Sequence, residues 1–176
     1  YIGWFEFSDE RIKNLEKEIL NQSKYYILNT NEEDYKNYLL NKYSLEQLSI
    51  IESSKRNYPP VQKEHEKDPN IRSYRSYTYY ECKTSFEFCG NRDLWYVRGT
   101  TFTLAGTDFS ISGNTVTYTF TIQTQSPEEY KRENEGAYKK LISNLEYINQ
   151  DALRFNNELP AKISRLFSNI KASIIQ

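Results

Sequence analysis

The sequence predicts an α+β fold: an antiparallel multi-stranded sheet with N-terminal helices, followed by a C-terminal long helix plus a second helix. Apolar residues alternate with threonines along residues 115–124, with the period of two that is typical of a half-buried strand. A turn at residues 112–114 joins this strand to a partner that begins at Phe109. A long helix is indicated over residues 126–155, where apolar residues recur every three or four positions.

The last strand of the predicted sheet has two unlike faces. Its apolar face is formed by Val116, Tyr118, Phe120 and Ile122. The threonines between them form the other face, which we expect to be exposed to solvent. An alternative is that this strand lies at an edge of the sheet, where its unpaired backbone would be presented to a partner.

The C-terminal residues are predicted to form two helices joined by a bend. Ser126 is the expected N-cap of the first helix, and Pro127 occupies its first helical position. Six apolar residues spaced alternately three and four apart form a seam along this helix: Tyr138, Leu141, Leu145, Ile148, Ala152 and Phe155. We expect a bend at residues 156–159, because the residue before a proline is disfavoured as helix, and a second helix from Pro160.

These elements predict two domains. An α+β domain spans residues 1–125, and a C-terminal helical pair over residues 126–176 packs on it or extends from it. The apolar seam is typical of a helix that packs along another helix. Its partner would be the second helix of the same chain or another copy of the chain, so a protein partner or self-association through the C-terminal helices is expected.

The N-terminal residues predict one strand and two helices with a short ambiguous segment between them. Residues 1–7 are predicted to form a strand, and Ser8 is the expected cap of the first helix. A strand is favoured over residues 23–30. A second helix is indicated over residues 31–43, where apolar and aromatic residues recur four apart.

The middle of the chain is predicted to contain a long loop and then the first strands of the sheet. Residues 45–51 fit either a helix or a strand. Prolines and charges indicate a loop over residues 53–70. Residues 72–90 fit one long strand or two shorter ones, and further strands are expected over residues 94–98 and 100–104.

Charge and composition argue against a membrane or strongly polyanion-binding protein. The 176 residues carry a formal net charge of −1, so the overall positive charge of many nucleic-acid-binding proteins is missing. No apolar run is long enough to span a bilayer, and we expect a cytoplasmic location. The two cysteines, Cys82 and Cys89, are too few for a disulfide framework.

Arginine and tyrosine side chains interleave next to the predicted loop, at Arg72, Tyr74, Arg75 and Tyr77. Arginine pairs with phosphate through two parallel hydrogen bonds, and a tyrosine ring stacks on a base. The cluster is therefore a candidate for weak nucleic-acid or partner binding. The favoured alternative is an amphipathic strand edge whose arginine stems lie along apolar surface.

Glu64, His65, Glu66 and Asp68 bring ionisable groups together and include the single histidine. Their spacing lacks the i, i+4 pair of histidines that holds a metal on a helix, and no cysteine pair completes a site. A solvated charged loop is the favoured interpretation. We expect no metal, no cofactor and no catalytic residue.

Three stretches resemble segments of certain uncharacterised bacterial proteins. Residues 88–98 and 100–104 resemble a region in which an apolar strand, a turn, a Leu-aromatic pair and a Thr-Thr-Phe strand follow one another. Residues 155–160 are similar to a Phe-Asn-x-x-Leu-Pro bend, and residues 30–35 to a segment near the N-terminus of those proteins.

In those proteins the module often precedes a restriction-endonuclease-like domain, and their genes are similar to ones near bacterial defence systems. The resemblance thus implies a non-catalytic N-terminal module, with the nuclease part outside these residues. We expect a non-catalytic binding or regulatory module of a bacterial intracellular protein. The alternative is part of a nucleic-acid-processing enzyme whose catalytic residues are dispersed or lie outside the chain.

Overall fold

A computed structural model, which describes residues 2–65, 77–101 and 108–176, confirms the predicted α+β class. The helices are α1 (Trp4–Leu20), α2 (Lys24–Asn29), α3 (Glu32–Tyr43) and α4 (Pro127–Ile175), with a 3-10 helix at Arg92–Tyr96. The strands are β1 (Ile2–Gly3), β2 (Ser49–Asn57), β3 (Val61–His65), β4 (Tyr77–Cys89), β5 (Val97–Arg98), β6 (Phe109–Ser112) and β7 (Thr115–Ile122).

The chain divides into two compact units, each built from separate stretches of sequence. The helical unit combines the described parts of residues 1–47, 96–102 and 147–176. The sheet unit combines the described parts of residues 48–95 and 103–146. The division into residues 1–125 and 126–176 stays a prediction.

The sheet unit is built on an antiparallel sheet in the order β2-β4-β7-β6, with β3 pairing along β4 as well. The period of two predicted for β7 is confirmed, because Val116, Tyr118, Phe120 and Ile122 are all buried. β7 pairs with β4 on one side and, over residues 115–118, with β6 on the other, so that part of its backbone is not a free edge. The threonine face is less exposed than expected: Thr121 is exposed, and the other threonines of the strand are half-buried.

Two strands occupy the region predicted as a loop at residues 53–70. β2 continues to Asn57, and β3 pairs with β4 from Val61 opposite Glu81 to His65 opposite Tyr77. Most side chains of these strands are exposed on both faces, so the sequence shows no apolar alternation there. Backbone pairing with β4 decides the structure instead. The residues after His65 in this predicted loop lie outside the described part of the chain.

The predicted strand at residues 94–98 is also largely wrong. Arg92–Tyr96 is a 3-10 helix, and only Val97 and Arg98 form a strand, β5. The 3-10 turn buries Leu94 and Trp95, and the Trp95 ring packs edge-on against Phe88 at a centroid distance of 5.3 Å. Burial of two adjacent apolar side chains therefore outweighs the local preference for a strand. Most of the expected strand over residues 100–104 lies outside the described residues.

The N-terminal helix begins earlier than predicted, at Trp4 rather than after Ser8, and only Ile2 and Gly3 form a strand. Helical geometry places Trp4 and Phe7 on one face, with ring centroids 5.8 Å apart. Trp4 also packs edge-on against Phe155 at 6.2 Å. This aromatic packing explains why these residues form a helix, although their side chains favour a strand.

The strand favoured over residues 23–30 is wrong, because this segment is helix α2. Ser23 caps it, and the Ser23 hydroxyl accepts a hydrogen bond from the backbone N–H of Tyr26 at 3.1 Å. The prediction of helix α3 is confirmed. Its cap is Asn31, whose side chain accepts from the N–H of Asp34 at 3.0 Å.

The C-terminal helix is continuous from Pro127 to Ile175, so the predicted bend at residues 156–159 and the separate second helix are wrong. Pro160 lies inside α4, where it removes one backbone hydrogen bond. Leu159 and Ile163 on either side are almost completely buried, and their packing offsets that loss. Of the helices in the described part of the chain, none combines the length and apolar character that a bilayer crossing requires.

Candidate functional site

Three residues on α4 form a stripe that faces the sheet. Tyr130, Asn134 and Tyr138 are spaced four apart, which places them on one side of the helix in successive turns. The Tyr130 ring packs edge-on against Phe120 at 5.3 Å, and the Tyr138 ring lies 5.4 Å from that of Phe86. The two tyrosines therefore anchor the helix on the sheet, with the amide of Asn134 between them.

A polar row crosses the sheet beneath this stripe. Thr84 on β4 is paired with Asn57 on β2 and with Tyr118 on β7, so the three side chains share one face. Thr84 and Tyr118 are completely buried, on a face that is otherwise mainly apolar. Buried polar groups of this kind need hydrogen-bond partners within the fold.

Asn134 supplies one of those partners. The Tyr118 hydroxyl donates to Asn134 Oδ1 at 2.5 Å, and the Thr84 hydroxyl lies 3.5 Å from the same oxygen. Thr84 donates over the shorter distance of 2.9 Å to Asn57 Oδ1. Asn134 is only 7% exposed, yet none of the described residues accepts a hydrogen bond from its Nδ2.

A bulge in β2 adds charged side chains. The register between β2 and β4 shifts between Ile51 and Arg56. The Ser54 hydroxyl holds the bulge by accepting from the N–H of Glu87 at 2.7 Å and donating to the carbonyl of Ile51 at 2.5 Å. Bulges re-aim side chains. Glu52 and Lys55, which lie within this bulge, both line the cavity described next.

These elements line an open cavity of about 430 Å³, which we name the tyrosine pocket. Its lining consists of Glu52, Lys55, Asn57, Phe86, Tyr118, Tyr130, Lys131, Asn134, Glu135 and Tyr138. Aromatic rings and the buried amide form its inner part, while the two lysines and two glutamates are exposed. The volume is within the range of about 300–1,000 Å³ that is usual for small-molecule sites.

The tyrosine hydroxyls of the pocket stay protonated at neutral pH. Burial raises the pKa of Tyr118 to about 12, against an opposing effect of the hydrogen bond with Thr84. Burial also raises the pKa of Tyr138 to about 12, and its hydrogen bond of 2.9 Å to Glu52 Oε1 adds to the shift. Burial raises the pKa of Tyr130 as well. Each hydroxyl is therefore a donor, and none is poised to act as a general base.

A second cavity, of about 500 Å³, adjoins the start of α4. It is lined by Pro60, Tyr80, Ile122, Gln125, Ser126, Pro127 and Tyr130. Gln125 Nε2 already donates to the Tyr80 hydroxyl at 3.1 Å. No lining residue of this cavity is a buried polar side chain, in contrast to Asn134 in the tyrosine pocket.

The predicted binding cluster is not part of either cavity. Arg72, Tyr74 and Arg75 lie outside the described residues, so their role stays a prediction. Tyr77 begins β4, is 44% exposed, and has its ring 6.2 Å from that of Tyr79. Tyr77 lines neither the tyrosine pocket nor the second cavity.

The acidic and histidine residues do not gather into a metal site within the described residues, where no three His, Cys, Asp or Glu side chains come together. Glu64 and His65 belong to β3, and Glu66 and Asp68 lie outside the described part of the chain. Cys82 is buried and Cys89 exposed, and both are free thiols.

Sequence reasoning missed the tyrosine pocket, although one signal was present. Tyr130, Asn134 and Tyr138 are placed at i, i+4 and i+8, and an asparagine in the middle of an otherwise aromatic stripe is an unusual core residue. Comparison with known proteins found no family model, no curated protein and no solved structure that matches the chain. The resemblance to uncharacterised bacterial proteins therefore stays a prediction.

Proposed function

We propose that this chain is a non-catalytic binding module and that the tyrosine pocket is its ligand site. The observation that carries the proposal is Asn134, a buried amide that lines the pocket while its Nδ2 has no acceptor among the described residues. Asn134 Nδ2 is not one of the completely buried polar atoms that lack a partner, so solvent reaches it, and an acceptor on a ligand would take the place of that solvent with a direct hydrogen bond.

The walls of the pocket support the same proposal. Phe86 and Tyr138 pack on each other at a ring distance of 5.4 Å, so the apolar surface on this side is held in place before any ligand arrives. A preformed pocket with aromatic walls and a few fixed polar groups is the usual form of a small-molecule site. The bulge that carries Glu52 and Lys55 adds groups suited to orienting a ligand.

Saturation-transfer NMR with a library of small aromatic compounds tests this proposal. Compounds that bind the wild-type protein should lose binding in Tyr138→Ala, which removes one wall of the pocket. Tyr25→Ala is the matched control, because Tyr25 is 78% exposed and does not line the pocket. Equal binding by both variants, or no binding to wild type, would contradict the proposal.

The rival hypothesis is part of a nucleic-acid-processing enzyme. Phosphodiester hydrolysis with metal ions requires carboxylates that converge on one cleft. The tyrosine pocket contains Glu52 and Glu135, and Glu52 is already engaged by the Tyr138 hydroxyl. Cleavage of a labelled oligonucleotide by the purified chain with Mg²⁺, abolished in Glu135→Gln, would favour the rival.

A further inference from the structure

The side-chain amides of Asn57 and Asn134 in the tyrosine pocket each offer an N–H donor to a ligand. Asn134 Oδ1 is taken by the Tyr118 hydroxyl, and Asn57 Oδ1 is taken by Thr84. Neither Nδ2 group donates to a described residue, so each is a hydrogen-bond donor that a ligand can use. Of the two, Asn134 is buried and Asn57 is exposed, so the Asn134 amide on the inner side of the pocket favours a ligand that carries an acceptor, such as a ring carbonyl.

The shape of the helix stripe favours a flat ligand. Tyr130 and Tyr138 lie one turn before and one turn after Asn134, so their backbone positions are about 12 Å apart along the helix axis. Since that separation is too wide for one ring to contact both tyrosines, a planar ring that reaches the Asn134 amide would stack on one of them. Aromatic side chains stack favourably on such rings.

The mouth of the pocket combines both signs of charge. Lys55 and Lys131 line it, and neither forms an ion pair with a described residue. Ammonium groups without a carboxylate partner suit an anionic substituent such as phosphate. Glu135 also lines the mouth, and its carboxylate suits hydroxyl donors of the kind that a sugar presents.

We propose that the tyrosine pocket binds a pyrimidine nucleotide of the uracil type, with the base carbonyl on Asn134 and the phosphate near Lys55 and Lys131. This inference rests on the proposed function and specifies its ligand. With the sugar at the mouth, the inner edge of the base is its 4-position. Uracil carries a carbonyl acceptor there, whereas cytosine carries an amino donor.

Calorimetric titration with uridine monophosphate and cytidine monophosphate tests the base contact. Wild type should bind the uridine nucleotide about tenfold or more tightly, because the cytosine amino group would face the amide donor of Asn134. Asn134→Asp replaces that donor with an acceptor while keeping the side-chain shape. It should weaken the uridine nucleotide by about tenfold or more and reverse the preference. An unchanged preference in a folded variant would overturn the assignment.

The phosphate contact is tested separately, by replacing an exposed lysine. This test remains informative if Asn134→Asp does not fold. Lys131→Gln should weaken uridine monophosphate about threefold to tenfold and leave uridine unchanged. Lys139→Gln, an exposed lysine two turns further along α4 that does not line the pocket, should change neither. Equal effects of the two lysine variants would overturn the phosphate assignment.

A uridine phosphate can reach the pocket either as a free nucleotide or as the end of a single-stranded nucleic acid. Tighter binding of a uridine tetranucleotide than of the monophosphate identifies a strand, and equal binding identifies the free nucleotide; both outcomes support the proposal. If library compounds bind through Tyr138 but uridine monophosphate at millimolar concentration does not, the ligand class is wrong and the binding module stands. If neither binds, both proposals fail.

Discussion

The buried hydroxyl of Tyr118 makes a contribution to stability that can be isolated. Tyr118 is completely buried and donates to Asn134 Oδ1 at 2.5 Å. Replacement by phenylalanine keeps the ring and its packing and removes that hydrogen bond. Such a bond contributes about 0.5–1.5 kcal/mol net, so Tyr118→Phe should lower the free energy of unfolding at pH 7 by about 1 kcal/mol.

The same variant should lose less stability than wild type in alkali. Burial raises the pKa of Tyr118 from 10.0 to about 12, so the folded protein keeps the hydroxyl proton after the unfolded chain has released it. The resulting stabilisation is complete below pH 10 and is lost as the pH rises towards 12. At pH 11 this titration lowers the free energy of unfolding of wild type by RT ln 10, or about 1.4 kcal/mol. The deficit of Tyr118→Phe at pH 7 should therefore disappear at pH 11.

Urea unfolding followed by far-UV circular dichroism, at pH 7 and pH 11, measures both effects. The other titratable groups are present in both proteins, so only the difference between wild type and variant is interpreted; Tyr138, whose pKa Tyr118 helps to raise, is the neighbouring group that the replacement also affects. Tyr25→Phe removes a hydroxyl from an exposed ring and should match wild type at both pH values. If wild type and Tyr118→Phe lose the same free energy of unfolding between pH 7 and pH 11, the reasoning is refuted.

Three further predictions concern the sheet, the long helix and the arginine cluster. Phe120→Ala should cost about 3–5 kcal/mol and Thr119→Ala less than about 1 kcal/mol in urea unfolding, and equal costs would contradict the alternation of β7. Pro160→Ala should raise the free energy of unfolding by about 1–3 kcal/mol, because alanine restores the missing N–H in a continuous helix; a decrease would argue for a bend. Replacing Arg72 and Arg75 by alanine should flatten the salt dependence of oligonucleotide binding by about two units of slope, whereas no wild-type affinity at low salt would mean that neither contacts phosphate.

The strands could be predicted where one face is buried and the other is not. β7 shows this clearly, since the burial of Val116, Tyr118, Phe120 and Ile122 imposes a period of two on the sequence. β3 has no such face: Val61 is exposed and its neighbours are polar or charged. Its position depends on backbone hydrogen bonds to β4, which place almost no constraint on side-chain type, so no pattern was available.

The helices show where predictions based on local sequence fail: one helix was missed, and one interruption was predicted that does not occur. The caps at Ser23 and Asn31 follow known chemistry, but neither cap was predicted, and only the helix over residues 31–43 was, because the aromatic and β-branched residues of α2 favour strand. At Pro160 the local rule predicted an interruption, and burial of Leu159 and Ile163 overrides it. Tertiary packing decided both cases, and a single sequence does not display tertiary packing.

The tyrosine pocket was harder to predict than the fold because its parts come from distant segments. Asn57, Thr84 and Asn134 meet only after strands β2 and β4 have paired and α4 has packed on them. The stripe on α4 was visible in the sequence, but the polar row beneath it depends on strand register. The bulge that brings in Glu52 and Lys55 has no sequence signature at all.

The hydrogen bonds between Asn156 and Leu45 have a consequence for folding during synthesis. The Asn156 side chain accepts from the Leu45 N–H and donates to the Leu45 carbonyl, both at 2.7 Å, across 111 residues of sequence. At about 5–20 residues per second, a ribosome needs on the order of ten seconds to produce that interval. Throughout it the Trp4 face of α1 lacks Phe155, so the nascent chain exposes an apolar surface to which a chaperone can bind before the helical unit can close.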